Sequence, residues 1–500
     1  MSLEGPGRRR APAPAVILAI LIALAIALRF WRLGYWGFEG DEIFTLRDSI
    51  HPRLSNARPL LYLLNYYLVL PFRPLDELGM RIIPALAGVF AIPAIYLVTK
   101  RLAGTRAALF AAGLLTLSSV HVYQSQYARY WSLVFLVSAI YPYAIYLGIR
   151  EHKPRLLALG ILVGGLAVLA HPVAGFLLGG LIVWFVISDI GRDYARRLWT
   201  HKTLRWAVLA FVVLAGIITI RYLPVLGEWI AEHDEGVTQD NLLHLPGRPG
   251  VKQIALLLIY IEGVTVSVVL AGLVGIIWLW QQRDRALALL LACLLIVPVG
   301  MLVLLSLRTP VSITYLMPTA PVFFIGAGLF LDRLADTELG LRPPWLLPAT
   351  ITIFIIVTGL PTLLSQYRDG RRRDFRGVAR YLTDRLAPGD GIYSDQAAVL
   401  GHYLPGRFVG RLTADPDLLE RSLWELENSG HGKALWIVVP ASAQGGLRTT
   451  PKVGSMSSWI YEHCQLRNTV GVARFDFRQN QLQIYRCPSS PVLSAGSKLE

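Results

Sequence analysis

Long apolar blocks, almost free of charged residues, recur along this sequence. Each covers about 18–25 residues, the length that an α-helix needs to cross a hydrocarbon core of about 30 Å. Of the 500 residues, 54% are hydrophobic and 16% are charged, whereas soluble chains have about 45–50% and about 25%. The three cysteines are too few to staple a fold. The chain is therefore predicted to be a polytopic membrane protein, and a soluble enzyme, a disordered chain and a disulfide scaffold are excluded.

The blocks predict about eleven transmembrane helices. The first, 11–28, follows Arg8–Arg10 like a signal peptide, but the small residues Ala23–Ala25 lie inside the apolar core, which favours an uncleaved helix. The segment 60–70 is only about 17 Å long as a helix and cannot cross, and its tyrosines suit the membrane interface. The further blocks lie near 81–98, 107–120, 131–149, 156–170, 173–187, 206–223, 254–280, 286–305, 311–331 and 345–364.

Lysine and arginine are concentrated in alternate connections between the blocks. The connections near residues 100–106, 150–155, 192–205 and 283–285 are rich in them, whereas the connection 224–252 carries an acidic stretch. The positive-inside rule makes the basic set cytoplasmic. An odd number of spans then places residues 366–500 on the outer side.

The tail 366–500 has the composition of a soluble domain. A helix is predicted over 375–386 and another over 417–428, with short strands at 392–394, 407–409 and 435–439. This alternation predicts a small α/β domain. Cys464 and Cys487 both fall in it, and the sequence leaves open whether they are joined or free. The predicted fold is thus an α-helical membrane domain, 1–365, with outer loops 33–80 and 224–252, followed by an extracytoplasmic α/β domain, 366–500.

The net charge of +15 does not indicate nucleic-acid binding. The basic residues lie in short connections between apolar blocks, where they set orientation in the membrane rather than bind a polyanion. Nucleic acid is therefore excluded as a partner, whereas membrane lipids are expected ones.

Two adjacent carboxylates, Asp41 and Glu42, follow the first predicted span by only a few residues. They are expected to lie near the lipid headgroups, at the depth of the reactive carbon of a sugar carried on a polyprenyl phosphate. A carboxylate there can take the proton of an attacking hydroxyl. The alternative is an ordinary solvated turn.

A second group of candidates lies at the same predicted face. Arg129, next to Tyr130, can clamp phosphate with its planar fork of donors or simply anchor its span at the interface. His171 lies in a tight connection between two spans and can bind a phosphate or satisfy the turn. The other residues on this side are Arg53, Arg58, Arg308 and Tyr315.

The order of these parts resembles the multi-spanning glycosyltransferases of the C superfamily, in the branch of the protein O-mannosyltransferases and aminoarabinose transferases. The resemblance covers nearly the whole membrane part and the start of the tail. It is carried by Asp41-Glu42, Arg58-Pro59-Leu60-Leu61-Tyr62, Met80-Arg81-Ile82-Ile83-Pro84-Ala85-Leu86, Ser125-Gln126-Tyr127-Ala128-Arg129, His171-Pro172, Tyr315-Leu316-Met317-Pro318-Thr319-Ala320-Pro321 and Arg373-Asp374-Phe375-Arg376-Gly377-Val378-Ala379.

The resemblance implies an enzyme that moves a sugar from a polyprenyl-phosphate donor to an acceptor hydroxyl of a protein, lipid or glycan, on the outer face and with inversion. It implies Asp41 as the base and Glu42 as its support. The donor phosphate is expected to contact Arg129, Arg58, His171 and Arg308, and the substrates to contact Tyr62, Tyr130 and Tyr315.

Two positions depart from these relatives, which often carry a carboxylate where Tyr127 stands and an arginine where Thr314 stands. The first difference removes a candidate metal ligand or acceptor-binding acid. The second removes a phosphate contact that Arg308 is placed to replace. No metal ligand is predicted from the residues, and a divalent metal ion stays open as a cofactor.

Two other classes remain as alternatives. A transporter or lipid-linked-sugar flippase commonly carries charges within its spans, whereas here the spans are nearly free of charge and the candidate residues crowd one face. A non-enzymatic envelope scaffold would show no dependence on Asp41.

Overall fold

The structure, a computed structural model, describes residues 13–56, 58–200, 265–281, 284–306, 312–337, 343, 346–412, 416–428, 433–441, 458–471 and 481–488. The chain divides into two units. The first comprises Met1–Leu33, Ser49–Leu75 and Gly79–Leu364, and the second comprises Gly34–Asp48, Asp76–Leu78 and Ser365–Glu500. The segment that carries Asp41 and Glu42 therefore packs with the tail.

Helices make up nearly all of the first unit, as the apolar blocks predict. The helices before residue 201 are α1 (Pro14–Phe30), α2 (Glu42–Ile50), α3 (Pro59–Leu64, continued by a π-helical turn Asn65–Val69), α4 (Glu77–Ala103), α5 (Thr105–Thr116), α6 (Ser119–Ser125), α7 (Trp131–Ser138), α8 (Tyr141–Arg150), α9 (Pro154–Ala170), α10 (Phe176–Ile187) and α11 (Asp189–Thr200). The description resumes at residue 265, and the helices that follow are α12 (Val266–Gln281), α13 (Arg285–Ser306), α14 (Ala320–Leu334) and α15 (Leu346–Asp369). Short 3-10 helices, Pro172–Gly175 and Ile313–Thr319, precede α10 and α14.

Among the described residues, five helices are long and apolar enough to cross a membrane, and seven if each of two bent pairs forms one span. Four shorter apolar helices, Pro14–Phe30, Pro59–Val69, Pro154–Ala170 and Val266–Gln281, accompany them. The several-span architecture agrees with the sequence, while the count of about eleven stays a prediction. The predicted span 206–223, the first part of 254–280 and the loop 224–252 lie outside the described residues.

The helices α5 and α6 form one of the bent pairs, with an angle of 62° between them. Ending α5 at Thr116 leaves backbone carbonyls without helical partners. The buried Arg29 of α1 donates to two of them, those of Leu115 and Thr116, at 3.3 Å each. At the break, the Ser118 hydroxyl accepts from the backbone N–H of His121 and begins α6.

The end of α1 is closed in a similar way. The amide nitrogen of Gln126 donates to the carbonyls of Leu28, Arg29 and Trp31 at 3.0–3.3 Å. These bonds satisfy the last carbonyls of the helix. Gln126, one of the residues that carry the family resemblance, thereby has a structural role that fixes the start of the Tyr127–Trp131 segment.

Close packing of α12 on α14 depends on glycine. A Cβ on Gly275 would lie 1.9 Å from the carbonyl oxygen of Gly326, and one on Gly272 would lie 2.7 Å from that of Phe323. Small residues allow this approach, which is the usual way in which helices associate in a membrane.

The second unit contains a mixed five-stranded sheet with the order β2-β1-β3-β5-β4. Its strands are β1 (Gly391–Ser394), β2 (Gly410–Arg411), β3 (Ala434–Pro440), β4 (Gln465–Val470) and β5 (Leu482–Pro488). β1 pairs in parallel with β2 and β3, whereas β5 runs antiparallel to β3 and β4. All seven residues of β3 are buried, as expected of a strand covered on both faces. The helices that the described tail contributes to this unit include α16 (Phe375–Thr383), α17 (Ala397–Tyr403) and α18 (Pro416–Asn428), and the greater part of α2 belongs to the unit as well.

The α/β prediction for the tail is confirmed in outline. The predicted strand 407–409 is wrong in position, because strand pairing begins at Gly410. Helix α17 and strands β4 and β5 were not predicted. Cys464 and Cys487 are joined by a disulfide, with a Cα–Cα distance of 4.1 Å.

Candidate active site

The two adjacent carboxylates have opposite environments. Asp41 is exposed, whereas the Glu42 side chain is completely buried. Asp41 lies in the turn that precedes α2, whereas Glu42 begins that helix, and the Asp41 carbonyl accepts from the backbone N–H of Thr45 at 3.1 Å. The Glu42 carboxylate accepts from the backbone N–H of Glu39 at 3.1 Å and so closes the turn that leads into α2.

Arginines from the beginning of the tail contact these carboxylates. Arg372 Nη2 lies 3.7 Å from Glu42, and both side chains are buried. Arg373 Nε lies 4.0 Å from Glu39, and its Nη1 donates to Asp395 at 3.0 Å. Burial raises the pKa of the Glu39 and Asp395 carboxyls, although the neighbouring arginines act in the opposite direction.

A second set of contacts links the same loop to α16 and α17. The Tyr403 hydroxyl accepts from the backbone N–H of Phe38 at 2.5 Å and donates to Glu77 at 2.6 Å. Arg376 forms an ion pair with the same Glu77 carboxylate. The Phe38 ring is buried and meets His402 edge to face at 5.5 Å between centroids. The loop is therefore held by charged, polar and aromatic contacts.

The predicted phosphate-binding residues of the first unit converge on one tyrosine. The Tyr130 hydroxyl accepts from Arg58 at 2.7 Å and from Arg129 at 3.1 Å. Both guanidinium groups also lie over the Tyr130 ring, with their central carbons 5.2 and 4.7 Å from its centroid. Two guanidinium groups therefore meet at one buried hydroxyl.

His171 joins this cluster as a neutral donor. Its Nδ1 accepts from the backbone N–H of Val173 at 3.2 Å and caps the turn Pro172–Gly175, so the neutral ring carries its proton on Nε2. Burial lowers the pKa of His171 well below its usual range, and Arg58 and Arg129 lower it further. His171 Nε2 has no hydrogen-bond partner within the part of the chain that the structure describes.

Aromatic rings complete this group. The centroid of His171 lies 5.0 Å from that of Trp131 in a stacked arrangement, and 4.7 and 5.5 Å from those of Tyr130 and Tyr315. Arg58, Arg129, Tyr130, His171 and Tyr315 therefore meet in one place, defined here as the basic–aromatic cluster together with Trp131.

Three further predicted residues fall within the described part of the chain, and one does not. Tyr62 is buried among the apolar residues of the first unit. Asp41 and Glu42 belong to the second unit. Arg308 lies outside the described residues. No group of three or more His, Cys, Asp or Glu side chains suited to a metal ion occurs within the described ranges.

Sequence reasoning overlooked the partners of residues 36–42, which carry Glu39, Asp41 and Glu42 and are called the acidic loop from here on. The signal for the start of α2 was present in Asp41 and Glu42 themselves, since an Asp before a helix and an acid in its first turn are both typical of a helix N-terminus. The run Arg371–Arg373 was noted as the opening of the tail, but nothing in it distinguishes the buried Arg372 from its neighbours. Tyr403 carried no recognisable signal.

Residues 60–220 match the sequence profile of the family described as dolichyl-phosphate-mannose-protein mannosyltransferase. No curated protein sequence matches the chain.

Solved structures match over nearly the whole length. ArnT from Cupriavidus metallidurans in the apo state is 17% identical, with a TM-score of 0.57 over 95% of this chain and 98% of that one. The same protein bound to undecaprenyl phosphate gives 16% identity and a TM-score of 0.55, over 97% and 100%. The oligosaccharyltransferase AglB of Archaeoglobus fulgidus, in complex with an inhibitory peptide and a dolichol-phosphate, gives 11% and 0.54, over 90% and 72%.

At these identities the structural matches establish the fold, and the family profile independently matches part of the membrane region. The resemblance predicted from the sequence is confirmed: the chain has the fold of the C superfamily of polyprenyl-phosphate-dependent glycosyltransferases.

Proposed function

We propose that this protein is a membrane glycosyltransferase that moves a sugar from a polyprenyl-phosphate donor to the hydroxyl group of a protein, lipid or glycan. The observation that carries the proposal is the basic–aromatic cluster, in which Arg58 and Arg129 meet at the Tyr130 hydroxyl beside the buried Nε2 of His171. The structural relatives crystallised with undecaprenyl phosphate and dolichol-phosphate support a lipid phosphate as the anion.

In the proposed reaction, the acceptor oxygen forms a bond to the anomeric carbon while the bond from that carbon to the phosphate oxygen breaks. The proton of the acceptor passes to the Asp41 carboxylate, and the polyprenyl phosphate leaves with the bonding electron pair. A single displacement inverts the anomeric configuration. Because phosphate is a good leaving group, the step needs positive charge arranged in advance more than it needs a strong acid.

Each member of the cluster has a distinct proposed task. Arg129 and Arg58 stabilise the charge that grows on the phosphate. His171, held neutral, donates from Nε2 to an oxygen of the phosphate or the sugar. Trp131 and Tyr315 offer flat apolar faces, on which one face of a sugar ring packs favourably.

The side of the membrane is part of the proposal. The distribution of lysine and arginine in the connections favours the outer face for the reaction. The Cys464–Cys487 disulfide supports this assignment, since disulfides persist in oxidising compartments. A thiol introduced by Arg380→Cys in the tail should react with an impermeant reagent in intact cells, and one introduced by Arg197→Cys only after permeabilisation. The reverse pattern would overturn the orientation.

The test of the reaction uses purified protein in lipid nanodiscs with labelled undecaprenyl-phosphate hexoses and pentoses, each offered with a membrane extract as the source of acceptors. One donor should lose its sugar to an acceptor and release undecaprenyl phosphate. Arg129→Ala should abolish the transfer, whereas the exposed Arg155→Ala should leave it unchanged.

Two results would contradict the proposal. In sealed liposomes, movement of an intact labelled donor from one leaflet to the other, without cleavage, would identify a flippase. Neither cleavage nor movement for any donor, by folded protein, would favour the scaffold alternative.

A further inference from the structure

The difference between Asp41 and Glu42 raises the question of what fixes the exposed carboxylate in place. Asp41 directly precedes the first turn of α2, and its carbonyl accepts from both the backbone N–H and the hydroxyl of Thr45, at 3.1 and 3.2 Å. The position of that turn depends on Glu42, which receives the backbone N–H of Glu39. The Asp41 carboxylate is thus attached to a rigid element whose first turn is closed by Glu42.

Glu42 in turn is bound by the chain that follows α15. The buried carboxylate faces the buried guanidinium of Arg372, with 3.7 Å between Oε1 and Nη2. An ionised carboxylate in such a place is costly unless it is paired. Removing the guanidinium therefore forces Glu42 to take a proton or to move, and either change reaches the first turn of α2.

The two residues before Arg372 have an unusual backbone conformation. Gly370 and Arg371 both have positive φ, of +69° and +52°. The left-handed conformation is unfavourable for a residue with a Cβ, and it persists where the surroundings impose it. A Cβ on Gly370 would lie 2.6 Å from the Trp36 ring. The turn that follows α15 therefore packs closely against the acidic loop, through Gly370 and the Trp36 ring.

We propose that Arg372 is a positioning residue for the transfer reaction: through the buried Glu42 it fixes the first turn of α2, and with it the Asp41 carboxylate. This inference rests on the proposed role of Asp41 as the base. It assigns the start of the tail a task in the chemical step, and it gives Glu42 a positioning role in place of contact with substrate. Tyr403 and Arg376 act in the same direction, because they hold Phe38 and Glu77.

The first test is kinetic, on full-length protein in nanodiscs with the donor found above. Arg372→Met should lower the single-turnover rate by about a hundredfold, the effect of displacing a catalytic group by about 1 Å. Donor affinity should stay within about twofold, because the donor contacts lie in the basic–aromatic cluster. Arg380→Met, which alters an exposed arginine of α16, should change neither quantity.

The second test measures position and does not depend on activity. Spin labels at Asp41→Cys and at the exposed Asp384→Cys report a distance within the second unit. Arg372→Met should broaden this distance distribution and Arg380→Met should not. The double variant Glu42→Gln/Arg372→Met should lose no more rate than Arg372→Met alone, since the two side chains act as one pair.

The outcomes separate the inference from the function on which it rests. Full transfer by folded Asp41→Asn would reject the proposed base, and the distance measurement would still decide whether Arg372 positions the turn. A normal rate in Arg372→Met, or a lowered rate with an unchanged distance distribution, would overturn the inference. If Arg372→Met does not fold, Arg372→Lys, which keeps the charge and loses the fork, is subject to the same criteria.

Discussion

The acidic loop and the basic–aromatic cluster differ in what surrounds their charged side chains. In the loop, Glu42 faces Arg372 and Glu39 faces Arg373, so these two carboxylates each meet a guanidinium of the same unit. In the cluster, Arg58 donates to the neutral hydroxyl of Tyr130 and forms no ion pair within the part of the chain that the structure describes. The buried acids of the loop therefore lie beside guanidinium groups of their own unit, whereas the two guanidinium groups of the cluster meet at a neutral hydroxyl, which fits the proposed binding of an anion there.

This contrast indicates where substitutions should affect binding and where they should affect geometry. Changes to the cluster remove groups that we propose contact the donor, and should appear in donor affinity and in the chemical step. Changes to the buried part of the loop should alter the placement of Asp41 and the stability of the second unit.

The largest effect is expected at Asp41, the exposed acid of the loop. Asp41→Asn removes the base while preserving size and helix position, and should lower turnover by at least about a hundredfold. Donor affinity, measured by binding of the labelled undecaprenyl-phosphate sugar, should be unchanged. Turnover close to normal in folded Asp41→Asn would exclude Asp41 from the chemistry.

Arg129 should give the next largest effect. If its guanidinium clamps the phosphate, Arg129→Lys should slow single-turnover transfer by about tenfold or more, because lysine lacks the planar fork. Donor binding should weaken less than the rate, since the contact strengthens as charge builds on the leaving group. Full transfer by Arg129→Lys, with Arg129→Ala reducing only the yield of folded protein, would make Arg129 an interface anchor.

A smaller effect is expected at His171. Asparagine can accept from the Val173 N–H and keep the cap, so His171→Asn removes chiefly the Nε2 donor. The loss of one hydrogen bond, about 1 kcal/mol, should weaken donor affinity by roughly fivefold. The exposed His152→Asn is the matched control.

The pH dependence of that affinity provides an independent check. Since burial keeps the pKa of His171 below its usual range, the parent protein should bind donor equally from pH 8 down to about pH 6.5 without protonation of this ring. A rise in affinity as the pH falls through that interval, present in the parent and absent in His171→Asn, would show that the charged ring binds the phosphate.

The smallest effect concerns Glu39. Its pKa is raised in the folded protein, so ionising it costs stability as the pH rises from the unfolded value through the folded one. Glu39→Gln should therefore raise the unfolding temperature at pH 8 relative to pH 5, by an amount that corresponds to less than about 1 kcal/mol. The exposed Glu425→Gln should show no such difference, and a lower unfolding temperature for Glu39→Gln at pH 8 would mean that its ion pair with Arg373 dominates.

The cluster could be predicted from the sequence because its members stand at the ends of apolar blocks on one predicted side. Arg129 directly precedes α7, and His171 follows α9. Position at the end of a span is a local property, which the alternation of apolar and polar segments reveals. The convergence on Tyr130 was not predictable, since it depends on how several spans pack.

The acidic loop shows the limit of the same reasoning. Nothing in the local sequence distinguishes the adjacent acids Asp41 and Glu42, yet Asp41 is exposed and Glu42 is buried. The difference is made by Arg372, far away in the chain, and by the left-handed residues before it. No local pattern encodes a pair of that separation. The missed strand β5 has a similar cause, because one of its two partners is β3, far earlier in the sequence.

The order of strands in the sheet of the second unit has a consequence for how the protein is made. Among the strands that the structure describes, β5 comes last in the sequence, but it lies between β3 and β4. During synthesis β4 therefore emerges with no neighbour to pair with, and it joins the sheet only when residues Leu482–Pro488 have left the ribosome. A chain that stopped at Gln481 would lose the strand that joins β4 to the rest of the sheet, and it would leave Cys464 as an unpaired thiol.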